Sequence, residues 1–99
     1  MNENPLKIIQ DSDPELFEKI ENSKDLAFQA GEISRKNKYL IALALDMSKH
    51  AEDGIRSLAI QALKNGATKK ELMETLRIVN YICGVGSVYS AAAALKDIV

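Results

Sequence analysis

The chain has 99 residues, of which 46% are apolar, and its formal charge is −1. A chain of this length forms one small domain and buries only about 60–65% of its unfolded surface, which favours assembly with further copies. The balanced charge gives no broad basic surface, and no apolar run reaches the roughly 18–20 residues of a membrane span, so neither nucleic acid nor a membrane is an expected partner. A single cysteine and the lack of a secretory signal pattern predict a cytoplasmic protein without an internal disulfide.

Residues 1–12 are predicted to form an N-terminal arm or a short helix. The sequence Asp13-Pro14-Glu15 then predicts a helix start, with aspartate as the N-cap, proline at the first helical position and glutamate in the first turn. Leu16, Phe17 and Ile20 begin an imperfect apolar stripe. We expect this helix to end at Gly31.

A third helix is predicted to begin after Ser34, which suits the N-cap position. The polar segment 49–54 then interrupts two apolar helical patterns, which indicates a junction where one helix ends and another begins. Asp53 is a possible cap for the new helix. The fourth helix runs from this junction toward Gly66.

The segment around Gly66 predicts a second junction. Glycine suits the left-handed position that closes a helix, and Thr68 with Glu71 has the spacing of a capping box. Residues 84–87 are expected to break the fifth helix, and residues 88–98 to form the last. The sequence therefore predicts an all-α fold, a single domain over residues 1–99 with about five to six helices.

Candidate functional groups are few. Asp46, His50 and Asp53 are spaced so that one helical face could present all three, as candidate ligands for a divalent metal or as a histidine base oriented by Asp46. The alternative is a solvated helix end whose histidine complements the helix dipole. Cys83, the lone thiol, is expected to be a buried structural residue. Tyr81 flanks the glycine break and is expected to pack in the core or in an interface, as is Tyr89.

The ordered pieces Ser34–Ala44, the polar junction, Ala62–Leu76 and the glycine pair resemble the carboxymuconolactone decarboxylase and AhpD-like alkylhydroperoxidase family. The resemblance covers residues 34–95 as a family core. It implies an AhpD-like helical subunit that assembles as a homo-oligomer, a trimer or a hexamer.

The resemblance also indicates where catalytic groups should lie. The redox branch has a Cys-x-x-Cys pair at a helix start, a histidine and a glutamate, and here the corresponding positions hold Ala51, Gly54, Leu58 and Tyr39. A thiolate stabilised by a helix N-terminus is the nucleophile of such sites. The decarboxylase branch keeps a histidine where this chain has Leu58. Neither chemistry has its expected residues here, although Tyr39 could still bond a ligand in the pocket or fill it.

The sequence leads to three hypotheses. The first is a non-redox family member that acts as a structural or small-ligand-binding homo-oligomer, without a cofactor. The second is an enzyme of the same fold with a rebuilt site around His50, Asp46 and Asp53, which leaves open whether the protein is an enzyme. The third is a module that binds another protein through faces such as Ala91–Ala94.

Overall fold

The computed structural model describes residues 4–99, so the first three residues of the predicted arm 1–12 lie outside the described range. Within that range the chain is all-α, without a strand. Its six helices are α1 (Lys7–Ser12), α2 (Pro14–Phe28), α3 (Arg35–Ser48), α4 (Glu52–Lys64), α5 (Lys69–Cys83) and α6 (Val85–Leu95).

Local side-chain chemistry starts three of these helices as predicted. Asp13 accepts a hydrogen bond from the backbone in the first turn of α2, and Ser34 does the same for α3. At α5 the capping box is complete, because the Glu71 N–H donates to Oγ1 of Thr68 over 3.1 Å and the Thr68 N–H donates to Oε1 of Glu71 over 2.9 Å. These bonds satisfy donors that a helix start otherwise leaves free.

Three predicted boundaries were wrong. The helix α2 ends at Phe28, before Gly31, and α6 begins at Val85, directly after Gly84. Gly84 has φ 90, a value that favours glycine, and this one residue separates α5 from α6. Asp53 is not the cap of α4, since Ala51 occupies that position and makes no side-chain cap bond. Asp53 lies in the first turn, where its charge complements the helix dipole.

The hydrophobic core is formed by α3, α4, α5 and α6. Buried alanines on α4 and α6 allow close approach of the helix backbones, and longer side chains fill the space between them. The fully or almost fully buried apolar residues are Leu43, Met47, Ile55, Ala59, Ala62, Ala67, Leu72, Val79, Ala91, Ala94 and Leu95.

Residues 4–28, called the arm from here on, contribute nothing to this core. Neither α1 nor α2 has a buried residue. The arm is attached at its C-terminal end, where the Phe28 ring stacks on Tyr39 of α3 with centroids 4.4 Å apart. Lys38 Nζ donates to the Gln29 carbonyl over 2.7 Å, and Arg35 Nε donates to the Phe28 carbonyl over 3.2 Å.

Within residues 4–99, the helices are all too short or too polar to cross a lipid bilayer.

Candidate functional site

The sequence predicts the candidate functional site at the junction between α3 and α4. Here α3 ends in a Schellman motif: the His50 N–H donates to the Met47 carbonyl over 3.2 Å, and the Ala51 N–H to the Asp46 carbonyl over 3.1 Å. His50 occupies the left-handed position of this motif, with φ 58. Glycine normally fills that position, because a Cβ there is disfavoured by roughly 1–2 kcal/mol.

The side chain of His50 points across to α6. Its Nδ1 lies 2.6 Å from Oγ of Ser90, a short hydrogen bond. The ring edge lies over Gly86, where an added Cβ would come 3.5 Å from Cε1. His50 is exposed and Ser90 is half-buried, so the pair is open to solvent. Sequence reasoning missed Ser90, because only the packing of α6 against the junction brings residues forty positions apart into contact.

Asp46 faces the first turn of α4. An added Cβ at Gly54 would overlap Oδ2 of Asp46 and lie 3.0 Å from its Cγ, so the carboxylate occupies the space beside that glycine. A carboxylate at a helix N-terminus is favoured by the helix dipole. Gly54 therefore leaves room for Asp46, and any larger residue at position 54 requires the carboxylate to move.

Asp46, His50 and Asp53 do not share one helical face, contrary to the prediction, and a functional role for them stays a prediction. Among residues 4–99, no group of three His, Cys, Asp or Glu side chains is placed to hold a metal ion. The reason is that α3 ends at Ser48, so His50 lies beyond the helix and turns toward Ser90. Asp53 is exposed on α4, away from any shared helical face.

The positions assigned by resemblance hold packing residues. Tyr39 is half-buried and stacks on Phe28, and both Tyr39 and Leu58 pack against the core. Ala51 is the N-cap of α4, the place where a helix N-terminus would stabilise a thiolate, and its methyl group has no such chemistry.

The expectation of a buried Cys83 was also wrong. Cys83 is exposed at the last position of α5. Val79, one turn earlier on α5, is buried, but by residue 83 the helix has run past the core. The thiol instead lines an apolar groove between α3 and α5, together with Leu45 and Ile82.

Tyr81 and Tyr89 are 86% and 75% exposed, so neither packs in the core of this subunit. Core packing is therefore wrong for both tyrosines, and a place in an interface stays a prediction.

Comparison with known proteins agrees with this fold. Residues 14–97 match the carboxymuconolactone decarboxylase family. A solved relative is the apo form of a carboxymuconolactone decarboxylase family protein from Legionella pneumophila, which is 33% identical, with a TM-score of 0.87 over 92% of this chain and 81% of that one. No curated protein matches the sequence. On this evidence the chain belongs to the carboxymuconolactone decarboxylase family.

Proposed function

We propose that this chain is a non-redox member of its family, a homo-oligomer with a structural or small-ligand-binding role. The observation that carries the proposal is the start of α4. The two positions that correspond to the redox cysteines hold Ala51 and Gly54, and the Asp46 carboxylate fills the space beside Gly54. A peroxidatic or disulfide-exchange cycle at this place has neither an attacking nor a resolving thiol.

Cys83 does not replace the missing pair. It is the one cysteine of the chain, so no resolving thiol exists within a subunit. Oxidation of a lone exposed thiol by peroxide gives a sulfenic acid that only an external thiol can reduce. The cycle therefore lacks the internal partner that makes the family's redox branch efficient.

Exposed apolar side chains support the homo-oligomer. Ile41 and Leu45 on α3 are 49% and 57% exposed, and Ile78 and Ile82 on α5 are 65% and 71% exposed. A contiguous apolar surface of this kind is uncommon on a monomer and typical of a protein interface. Light scattering on the purified protein gives the molar mass directly, and a monomer at micromolar concentration would refute this part.

The non-redox part is tested by turnover. Wild-type protein and the variant Cys83→Ser are assayed with hydrogen peroxide and a dithiol, and with a model disulfide. We expect no turnover above buffer from either protein. Multiple turnover that survives Cys83→Ser would refute the proposal, because it would require an active centre without a thiol.

The alternative is an enzyme with a rebuilt site at His50, Asp46 and Asp53. The hydrogen bond between His50 and Ser90 favours it, because a histidine within 2.6 Å of a hydroxyl can act as its base. p-Nitrophenyl acetate is a suitable probe for the wild type, His50→Ala and Ser90→Ala. Hydrolysis lost in both variants would favour the enzyme, and a wild-type rate equal to that of buffer would favour the non-catalytic role.

A further inference from the structure

The hydroxyl of Ser90 on α6 has an imidazole as its hydrogen-bond partner. A serine or threonine inside a helix commonly donates to a backbone carbonyl one turn earlier, as Thr75 does to the Glu71 carbonyl over 2.9 Å. Ser90 Oγ lies 2.6 Å from Nδ1 of His50 instead. When a neutral imidazole carries its hydrogen on Nε2, its Nδ1 can only accept. In that form the Ser90 O–H donates to Nδ1, which is placed to take the proton from Oγ.

The imidazole is held in this place although the backbone of His50 is strained. Its φ of 58 is disfavoured by roughly 1–2 kcal/mol for a residue with a Cβ. The bond from the His50 N–H to the Met47 carbonyl holds the backbone, and the bond to Ser90 holds the ring. Strained residues are enriched at functional sites. Here the strain accompanies a base and a hydroxyl that are already in position.

A reagent in the solvent can reach the Ser90 hydroxyl. Ser90 is half-buried and His50 is exposed. Gly86, one turn before Ser90, is exposed and has no side chain, and even an added Cβ there would stay 3.5 Å from Cε1 of the ring. An electrophile therefore has an open approach to Oγ along this flank of α6, beside the ring nitrogen that accepts the proton.

The backbone around Ser90 limits the chemistry to one transfer. Ser90 is the sixth residue of α6, so its N–H bonds within the helix and is not free to stabilise the oxyanion of a reacting ester. Acylation of Oγ therefore requires a donor with a good leaving group. The product is an alkyl ester of serine, whose leaving group is poor. Its hydrolysis is slow for the same reason, so the acyl group stays on Ser90.

From these observations we infer that Ser90 is an acyl-acceptor site with His50 as its base. The donor is an activated acyl compound, an aryl ester, an acyl phosphate or a thioester. Oγ attacks the acyl carbon while its proton moves to Nδ1, the new O–C bond forms, and the bond from the acyl carbon to the leaving group breaks. The leaving group takes the proton from the imidazolium, which restores the neutral histidine. The inference goes beyond the proposed function, because one transfer per subunit requires neither turnover nor a redox group.

Acetylation by p-nitrophenyl acetate tests the inference on the full chain. All proteins carry Cys83→Ala, because an exposed thiol competes with a hydroxyl for such esters. Release of p-nitrophenolate is followed by absorbance, and the acetylated residue is identified by peptide mass spectrometry. Ser57 is the matched control within the same molecule, since it also lies inside a helix and is exposed where Ser90 is half-buried. Exposure alone therefore predicts more acetyl on Ser57.

We expect a burst of about one equivalent of p-nitrophenolate per subunit, as in the accumulation of an acyl intermediate. Ser90 should carry at least about tenfold more acetyl than Ser57, because a positioned base commonly accelerates such steps by 10²-fold or more. Equal acetylation of the two serines would overturn the inference. An unchanged burst in Ser90→Ala would also overturn it, because the nucleophile would then be another group.

Two variants test the role of His50 as the base. His50→Gln keeps a polar side chain but cannot accept the proton, and His50→Gly also suits the left-handed backbone. Both should lower acetylation of Ser90 by at least about tenfold and leave that of Ser57 unchanged, with far-ultraviolet circular dichroism as the check of folding. With His50 present, the burst should be slower in heavy water than in water, since a proton moves in the reaction. Undiminished acetylation of Ser90 in a folded variant, or equal rates in both solvents, would overturn the inference.

The same assay separates this inference from the proposed function. A burst without later turnover supports the acyl-acceptor site and leaves the structural or small-ligand-binding role unaffected. Sustained hydrolysis that is lost in Ser90→Ala and in His50→Ala favours the alternative enzyme and overturns the stable acyl-serine. Absence of acetyl from Ser90 refutes only this inference.

Discussion

The two junctions on either side of α4 use the same backbone motif with different residues. At the α4–α5 junction the Ala67 N–H donates to the Ala62 carbonyl over 3.0 Å and the Gly66 N–H to the Leu63 carbonyl over 3.1 Å. This Schellman motif places glycine at the left-handed position, with φ 97. The same pair of bonds closes α3, where His50 replaces the glycine.

The starts of the following helices differ in the same way. The capping box of Thr68 and Glu71 begins α5, whereas α4 begins at Ala51 without a side-chain cap. The α4–α5 junction has the favoured residue both where α4 ends and where α5 begins. The α3–α4 junction has a disfavoured residue at both places. Departures of this kind concentrate at functional or strained places, and the positions that the resemblance assigns to the redox cysteines, Ala51 and Gly54, lie next to His50 in the sequence.

The largest expected effect is at the glycine junction. Gly66→Ala should lower the free energy of unfolding by about 1–2 kcal/mol, because the space is open but the left-handed backbone disfavours a Cβ. Urea denaturation measures the loss. Gly31→Ala is the control, since that glycine is also uncrowded and does not have a left-handed backbone. An equal loss in both variants would contradict the conformational explanation.

The helix starts give the next effect. Thr68→Ala should cost about 1 kcal/mol of stability, because it removes the acceptor for the Glu71 N–H. Ala51→Ser should instead stabilise the protein, by up to about 1 kcal/mol, because it gives α4 the acceptor that it lacks. Both are read from the shift of the urea midpoint. A loss of stability in Ala51→Ser would contradict the explanation that α4 lacks only a side-chain acceptor at its N-cap.

Two variants at His50 separate the effect of the left-handed backbone on stability from the effect of the side-chain hydrogen bond to Ser90. His50→Ala keeps the left-handed residue with a Cβ but loses the bond to Ser90, whereas His50→Gly loses the same bond and relieves the backbone. We expect the glycine variant to be more stable than the alanine variant by about 1 kcal/mol. Ser90→Ala removes the bond without altering the junction and should cost about 0.5–1.5 kcal/mol. Identical stabilities for the two His50 variants would contradict a strained junction.

The smallest effect is a pH dependence at Glu71. The hydrogen bond from Lys36 Nζ, 2.9 Å long, and then the bond from the Thr68 backbone hold the pKa of Glu71 below its ordinary value of 4.5. A lowered folded pKa gives stability that is present above the unfolded pKa and is lost as the pH falls through the folded value. The stability difference between wild type and Glu71→Gln should therefore shrink below about pH 4.5, where urea titrations at several pH values can follow it. A difference that is constant with pH would contradict this origin.

The sequence predicted the elements whose causes are local. Asp13, Ser34 and Thr68 bond donors only three residues away, and Gly66 and Gly84 act through their own φ, so neighbouring residues suffice to recognise them. The family resemblance likewise rests on such residues at the helix ends, and the match over residues 14–97 confirms it.

Tertiary placement was not predictable in the same way. The exposure of Cys83 depends on where the core ends beneath α5, and the contact of His50 with Ser90 depends on how α6 crosses the junction. The absence of buried residues in α2 has the same origin, because an apolar stripe shows that a helix can pack but not what it packs against.

The stack of Phe28 on Tyr39 has a spectroscopic consequence. The chain has three tyrosines and no tryptophan, and two of the tyrosines, Tyr81 and Tyr89, are strongly exposed in the subunit. Tyr39 is thus the tyrosine with a fixed aromatic neighbour, and that neighbour is the last residue of the arm. Near-ultraviolet circular dichroism of the unlabelled protein should therefore report the attachment of the arm, while far-ultraviolet dichroism reports the helices.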